Sequence, residues 1–399
     1  MGNQASATGE RDPRLTVEDG EHYVGFENRG NICYCSSVLQ SLYYCKPLRD
    51  KMLTYGIPDA EEQDELMLSL IDLFRHISTF KKKVGVTNLK RVMSVIQRTN
   101  ILFEGDYHQD SHELLIWLLN ELKDTVTRDM KRGNSESASK TSKRNSRFGE
   151  GLNSRLSSYR RSGTEEERHE RPKVNWVEEI FGGVLSSVTR CLCCETISQR
   201  DEPFMDLSVD VESNCSITHC LRNFSSTEVL TGNDKFFCGE CGCLQEAEKR
   251  IVIKKLPQVL IVQLKRFKYN ETMGRHQKLT SRVVFPFELK LTIVSSDCEN
   301  PDTIYDLYAA VIHIGPGFQY GHCIAVVKSN GMWLKFDDDL IEVVDEKYLY
   351  YIFGTSREGK ETNTWPCAYL LFYQAREDEY SKKKTQMDYL LQGSLKARR

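Results

Sequence analysis

The chain has 399 residues, 40% of them apolar, and a formal net charge of -3 at pH 7. That length supports two or three domain-sized units and a sizeable core. The near-neutral charge argues against a general nucleic-acid binder, and no apolar run reaches the roughly eighteen residues of a membrane-crossing helix. The fourteen cysteines would suggest disulfides in a secreted protein. The opening Met1-Gly-Asn-Gln-Ala-Ser6 is no hydrophobic leader, so metal binding and catalysis account for them better, in the reducing cytosol or nucleus.

Residues 1–21 are polar and are expected to be disordered. Their first six fit M-G-x-x-x-[ST], which makes Gly2 a myristoylation candidate; one acyl chain gives only weak membrane association. Between Gly25 and Leu42, Gly30 and Asn31 form a turn signal. Val38, Leu39, Leu42 and Tyr43 then follow at helical spacing. Cys33 falls in the first turn of that helix, where unpaired N–H groups and the helix dipole favour thiolate, the nucleophilic form. A small buried core cysteine is the competing reading for such a residue alone.

Residues 62–78 carry Leu66, Leu70, Leu73, Phe74 and Ile77 on one face, and 88–97 repeat the pattern with Leu89, Val92, Met93 and Ile96. The run Asp110-Ser-His-Glu113 opens a further helix: Asp110 can cap it and Glu113 can close a capping box. Leu114, Leu115, Trp117, Leu118 and Leu122 would bury against the earlier helices. Residues 22–130 thus read as a helical subdomain. Residues 131–173 are rich in Ser, Arg, Lys, Glu, Gly and Asn, and cannot bury enough surface to offset their ordering entropy. They read as a disordered insertion.

Order resumes at Trp176. Ile180 to Thr189 has strand composition and leads into Cys191-Leu-Cys-Cys194, which Cys238-Gly-Glu-Cys241 matches later. Two C-x2-C knuckles can present four thiolates to one structural zinc, closed to solvent. A catalytic zinc would need an open position and a nearby acid or His, which neither pair supplies. Cys193 and Cys243 are spare thiols. From Arg250 the chain is β-rich. Ile251 to Pro257 and Val259 to Phe267 read as neighbouring strands, followed by strands at Tyr305–His313, Ile324–Lys328, Trp333–Asp339 and Ala368–Tyr373. Gly315 to Gly321 reads as a flexible Gly-rich loop that delivers His322 to a loop–strand junction. A histidine there can project into a cleft and serve a thiol as base, although a lone histidine is more often structural. The tail 376–399 is charged.

Several of these stretches, in this order, resemble the ubiquitin-specific proteases. Gly25 to Ser37 is similar to their cysteine box, Gly-Leu-x-Asn-x-Gly-Asn-Thr-Cys-Tyr-x-Asn-Ser, departing at Phe26, Ile32 and Ser36. His108 to Leu115 resembles Gln-Gln-Asp-Ala-His-Glu-Phe, and Leu264-Lys-Arg-Phe267 is shared. Gly321-His-Cys-Ile-Ala325 resembles Gly-His-Tyr-x-Ala, with Cys323 in place of the usual Tyr. The resemblance implies an α+β, papain-like right-hand fold. A helical thumb (22–130), zinc-bearing β fingers (174–249) and a β-rich palm (250–375) would cradle ubiquitin.

By position the resemblance makes Cys33 the nucleophile, His322 its base and Asp337 the orienting acid, with Asp338 a less favoured substitute. Asn28 would donate to the oxyanion, and Asp110 and Glu113 would hold the basic ubiquitin tail. The fingers' zinc ligands would be Cys191, Cys194, Cys238 and Cys241. Lys81 to Val86, Cys194 to Ser198 and Asp206 to Val211 are similar to the compact branch of the family controlled by WD-repeat propellers, which implies such an activator. Two other readings remain: an inactive ubiquitin-binding module of this fold, and a zinc-ribbon nucleic-acid binder, which the acidic Asp201–Glu212 stretch argues against.

Overall fold

The structure is a computed structural model that describes residues 21–28, 30–55, 64–105, 107–145, 175–271, 274–298, 300–317, 320–356 and 364–376. The expectations for residues 1–20 (Gly2 included), 146–173 and 377–399 fall outside these.

The first half builds a helical lobe on a short parallel pair, β1 (Tyr23–Glu27) and β2 (Val84–Asn88). Gly30 and Asn31 have φ of 120° and 52°; this left-handed turn throws the chain into α1 (Cys33–Tyr43), all of whose residues are buried. α2 (Lys46–Thr54) starts on Pro47, which suits a first turn. α3 (Glu65–Ser78) is capped by Asp64, which accepts from Met67 N–H. It presents Leu66, Leu70, Phe74 and Ile77 inward. α4 (Lys90–Thr99) does the same with Val92, Met93 and Ile96.

α5 (Ser111–Asn145) is capped by Asp110, whose Oδ1 accepts from His112 and Glu113 N–H. The reciprocal bond of a capping box is not found among the described residues. α5 continues past residue 130, where an insertion was expected, because its polar residues include good helix formers and no proline intervenes before Pro172. α6 (Trp176–Phe181) takes in Ile180 and Phe181, the first two residues of the expected strand, which begins instead at Gly183. Asn175 caps it through Val177 N–H, and its amide also donates to Lys123 O at 2.7 Å and Thr127 Oγ1 at 2.9 Å. That clamp places Trp176, Val177, Ile180 and Phe181 in the helical core rather than in the fingers.

The chain then leaves as a four-stranded sheet, β4-β3-β10-β7. Its strands are β3 (Gly183–Cys191), β4 (Ile197–Phe204), β7 (Glu228–Leu230) and β10 (Ala247–Lys255). Between them β5 (Leu207–Asp210), β6 (Cys215–Ser216) and α7 (Ile217–Phe224) dip back into the second core, and β8 (Phe236–Cys238) pairs with β9 (Cys243–Gln245).

β10 and β11 (Val259–Lys265) follow one another in sequence but do not pair, contrary to expectation. β10 belongs to the fingers, whereas β11 lies between β5 and β20 (Cys367–Ala375). Leu256, Pro257 and Gln258 separate them, and Pro lacks the N–H a ladder needs. β12 (Phe267–Asn270) and β13 (Arg275–Lys278) form a hairpin, β14 (Val283–Val284) pairs with β6, and β15 (Glu288–Lys290) edges the main sheet.

That sheet runs β19-β18-β17-β16-β20-β11-β5. The strands not yet placed are β16 (Ile304–Gly317), β17 (Tyr320–Ser329), β18 (Met332–Asp337) and β19 (Leu340–Val344), with α8 (Glu346–Tyr351) after them. Successive residues of a strand point to opposite faces. Val259, Ile261, Val311, Ala325 and Phe372 therefore pack on the helical lobe, while Leu260, Val262, Ile312, Ile324 and Leu371 face a second core closed by α7 and α8. Where it is described, the Gly-rich stretch is strand: Gly315 to Gly317 belong to β16 and Tyr320 to Gly321 to β17, with the register shifting between Ile314 and Gly317. A Cβ on Gly315 (φ 123°) would lie 2.6 Å from Gly321 Cα, so this close approach of two strands requires glycine. Among the described residues no helix is long and apolar enough to cross a membrane.

Candidate active site

α1 packs across β17, and this brings Cys33 beside His322 although most of the chain separates them. β18 returns antiparallel to β17 and ends at Asp337. His322 Nε2 lies 2.7 Å from Asp337 Oδ1 and 3.9 Å from Asp338 Oδ2. With Nε2 engaged, Nδ1 is the nitrogen left for the Cys33 sulfur.

Asp338 turns the chain in the left-handed region (φ 54°). Its side chain points elsewhere: Oδ2 accepts from Asn28 Nδ2 at 2.9 Å, and Asn28 Oδ1 accepts from Ile32 N–H at 3.3 Å. The Asp338 carbonyl accepts from Phe26 N–H at 2.9 Å, and a Cβ on Gly25 would strike the Asp339 backbone at 2.8 Å. The residues before Cys33 are thus held against the turn that carries both acids.

The charges follow from these contacts. Cys33 is lowered to about 4, first by the hydrogen bond of the Cys323 thiol; burial opposes this, and His322 and the Cys323 N–H add to it. His322 is raised to about 10, chiefly by its bond to Asp337 and then by Cys33. Asp337 is held below its usual value by His322, whereas burial pushes Asp338 up. At neutral pH the cleft therefore holds a thiolate–imidazolium pair with an ionised Asp337, and the two neighbouring acids have separate tasks.

Cys33 and Cys323 line a cavity of about 10 Å³ together with Asp110, Ser111, His313 and Tyr369. That is room for about one water. Asp110, expected to bind the tail, sits on this wall and accepts from Tyr369 Oη at 2.7 and 2.9 Å. Tyr369 in turn accepts from Gln263 Nε2 at 2.8 Å, and Ser208 Oγ sits between Gln263 Oε1 and Asp206 Oδ2 at 2.5 and 3.1 Å. His112 Nε2 meets Asp206 Oδ2 at 2.9 Å. This polar seam between thumb and palm has no sequence signal, because its members come from α5, β11, β20 and the chain around β5. Glu113 is raised by burial and then by the charge of Asp110, an environment that an incoming cation would relieve.

The four fingers cysteines also converge. Cys191, Cys194, Cys238 and Cys241 place their sulfurs within 4.8 Å of one another, with Cys194 and Cys238 at 3.5 Å. A Zn–S bond of about 2.3 Å puts tetrahedral sulfurs roughly 3.8 Å apart, so the group could hold a metal ion. Cys194 is drawn down to about 6, first by the Thr196 hydroxyl, while Cys241 is pushed up, first by Cys194. Crowded thiols resist losing further protons until a cation compensates their charge. Cys193 and Cys243 are exposed beside the cluster.

A thiolate beside an imidazolium that a carboxylate orients defines the class of thiol hydrolases. The family model described as ubiquitin carboxyl-terminal hydrolase matches residues 24–373. "Ubiquitin carboxyl-terminal hydrolase 4" of Arabidopsis thaliana is 46% identical over 358 residues, 90% of this chain and 94% of that protein. "Ubiquitin carboxyl-terminal hydrolase 12" of Salmo salar is 43% identical over 378 residues, 94% of this chain and 96% of that protein. Among solved structures, a chain of the SAGA Ubp8/Sgf11/Sus1/Sgf73 DUB module bound to ubiquitin aldehyde is similar at a TM-score of 0.66 and 25% identity. The match covers 93% of this chain and 73% of that one. The chain belongs to the ubiquitin carboxyl-terminal hydrolase family and is a cysteine-type deubiquitinase.

Proposed function

We propose that Cys33, His322 and Asp337 carry the hydrolysis of the bond after the last glycine of ubiquitin. The observation that carries this assignment is the 2.7 Å contact of His322 with Asp337 beside a cysteine held as thiolate. Cys33 attacks the scissile carbonyl. Asn28 Nδ2 has two hydrogens; Asp338 takes one, which fixes the amide plane and leaves the other for the oxyanion. The imidazolium of His322 gives its proton to the departing amine, and the acyl thioester stays on Cys33. His322, now neutral, removes a proton from water, which attacks the thioester and releases the ubiquitin carboxylate. Asp337 keeps the ring oriented throughout.

Asp110 and Glu113 are positioned to meet the cationic part of the tail at the thumb–palm seam. The fingers cysteines would hold one structural zinc, whose role is to fix the β3–β4 and β8–β9 turns. A WD-repeat activator remains the reading suggested by sequence resemblance; exposed Leu192, Ile197, Phe237 and Leu244 on the fingers support a partner docking there. The assignment is tested with ubiquitin carrying an electrophile at its C-terminus: the adduct should map to Cys33, and an adduct on another cysteine would overturn it.

A further inference from the structure

The cavity at the head of α1 holds two sulfurs where the chemistry above needs one. Cys33 and Cys323 are 1% and 8% exposed and line the same small cavity, on α1 and on the face of β17 that packs against α1. Ser111 Oγ donates to the Cys323 sulfur at 3.5 Å. The mechanism gives the Cys323 thiol no proton to move and no substrate to touch.

We propose that Cys323 is a resolving thiol that captures oxidised Cys33 as a reversible disulfide, making the pair a modification site for hydrogen peroxide. The inference rests on Cys33 being the reactive thiolate. Hydrogen peroxide is small and uncharged, so among thiol reagents it needs little opening of the cleft to reach the Cys33 sulfur. The Cys33 thiolate attacks one peroxide oxygen, the O–O bond breaks, and Cys33 becomes a sulfenic acid with loss of hydroxide. Until then Cys323 is held protonated, first by its bond to the Cys33 sulfur and by burial. Oxidation neutralises Cys33 and removes that restraint. The Cys323 sulfur then attacks the sulfenyl sulfur, the S–S bond forms, and the hydroxyl leaves with the Cys323 proton as water. A dithiol reverses this by returning two electrons and two protons. The disulfide shields Cys33 from the irreversible sulfinic and sulfonic stages.

A second close pair, Cys215 and Cys220 with sulfurs 3.4 Å apart, lies on the far side of the palm and provides an internal control. The full-length protein would be treated with graded hydrogen peroxide, quenched, alkylated and digested, and its deubiquitinating activity followed before and after dithiothreitol. Wild type should lose activity, gain a peptide pair joined between Cys33 and Cys323 and about 2 Da lighter than the two reduced peptides, and regain most activity with dithiothreitol. Cys323→Ser, compared with its own untreated activity, should recover about tenfold less and carry Cys33 as sulfinic or sulfonic acid. Loss of wild-type activity without the Cys33–Cys323 linkage, or equal recovery by Cys323→Ser, would overturn the proposal. The wild-type linkage is read without any variant. Ubiquitin-electrophile labelling of the untreated protein separates the outcomes: failure to label Cys33 rejects its role as nucleophile, whereas labelled Cys33 that never links to Cys323 rejects only the resolving thiol.

Discussion

Asp337 and Asp338 are adjacent and acidic, yet the first orients His322 and the second orients Asn28. The variants should separate these tasks. Asp337→Asn is expected to lower kcat by on the order of 10² to 10⁴, as loss of the orienting acid does in such triads. Asp338→Asn should cost about tenfold, because it loosens an oxyanion donor without removing it. Steady-state cleavage of a ubiquitin–fluorophore conjugate measures both, and the reverse order would exchange the roles. The ion pair also fixes a pH profile. Cys33 is lowered to about 4 and His322 raised to about 10, so Cys33 alkylation should be flat across neutral pH. It should fall below about 4, where the thiolate protonates. Turnover should fall above about 10, where His322 loses the proton it gives the leaving amine; these limits belong to the coupled pair. Asp337→Asn removes the chief cause of the raised His322 value and should move the alkaline limb down. The Cys33 box was legible in the sequence because its turn, helix start and thiol are contiguous. The Asn28–Asp338 bond spans 310 positions and left no local trace.

At the scale of elements, the proposed zinc would hold the fingers through their four cysteines. β8 and β9 are three residues each, too short to hold a hairpin unaided. Removing metal with a chelator, or Cys241→Ser, should loosen proteolytic protection of β3–β10 and weaken ubiquitin binding, because metal binding and folding are coupled. Alkylation of Cys33 should remain intact. Metal analysis finding no zinc in active protein would reject that site. The palm carries a different clamp at the break between β11 and β12. Arg266 is wholly buried and donates to the carbonyls of Ala368, Leu279, Ser281 and Phe353. Arg266→Met leaves those carbonyls unpaired and should cost about 3–5 kcal/mol, read as a lowered Tm. Motif spacing located the paired cysteines and β11, but not the break at Arg266 that ends this strand or the buried role of that arginine. Nor did it show that α6 joins the thumb, since strand-like composition there is overridden by the Asn175 clamp and helix packing.

The molecule as a whole is a thumb and a palm joined by a polar seam. On the proposed function, parting them would exchange the Tyr369–Asp110 bonds for contacts with the incoming tail. A helical half and a β-rich half were readable from periodicity, and the α+β right-hand class came from the family resemblance, whereas the interleaving was not legible: β5 and α7 lie in sequence inside the fingers and in space inside the palm.

Strand β20 (Cys367–Ala375), the last in the described chain, occupies the middle of the large sheet, between β16 and β11. During synthesis the palm therefore exists as two halves with bare apolar edges until that strand leaves the ribosome. At about 5–20 residues per second, the interval after Cys33 is made is on the order of tens of seconds. For most of it Cys33 lacks His322 and Asp337, which lie on β17 and β18 late in the chain. A nascent chain cannot complete its palm before β20 is made, and a message cut short upstream of β20 yields an exposed edge instead of a weakened enzyme.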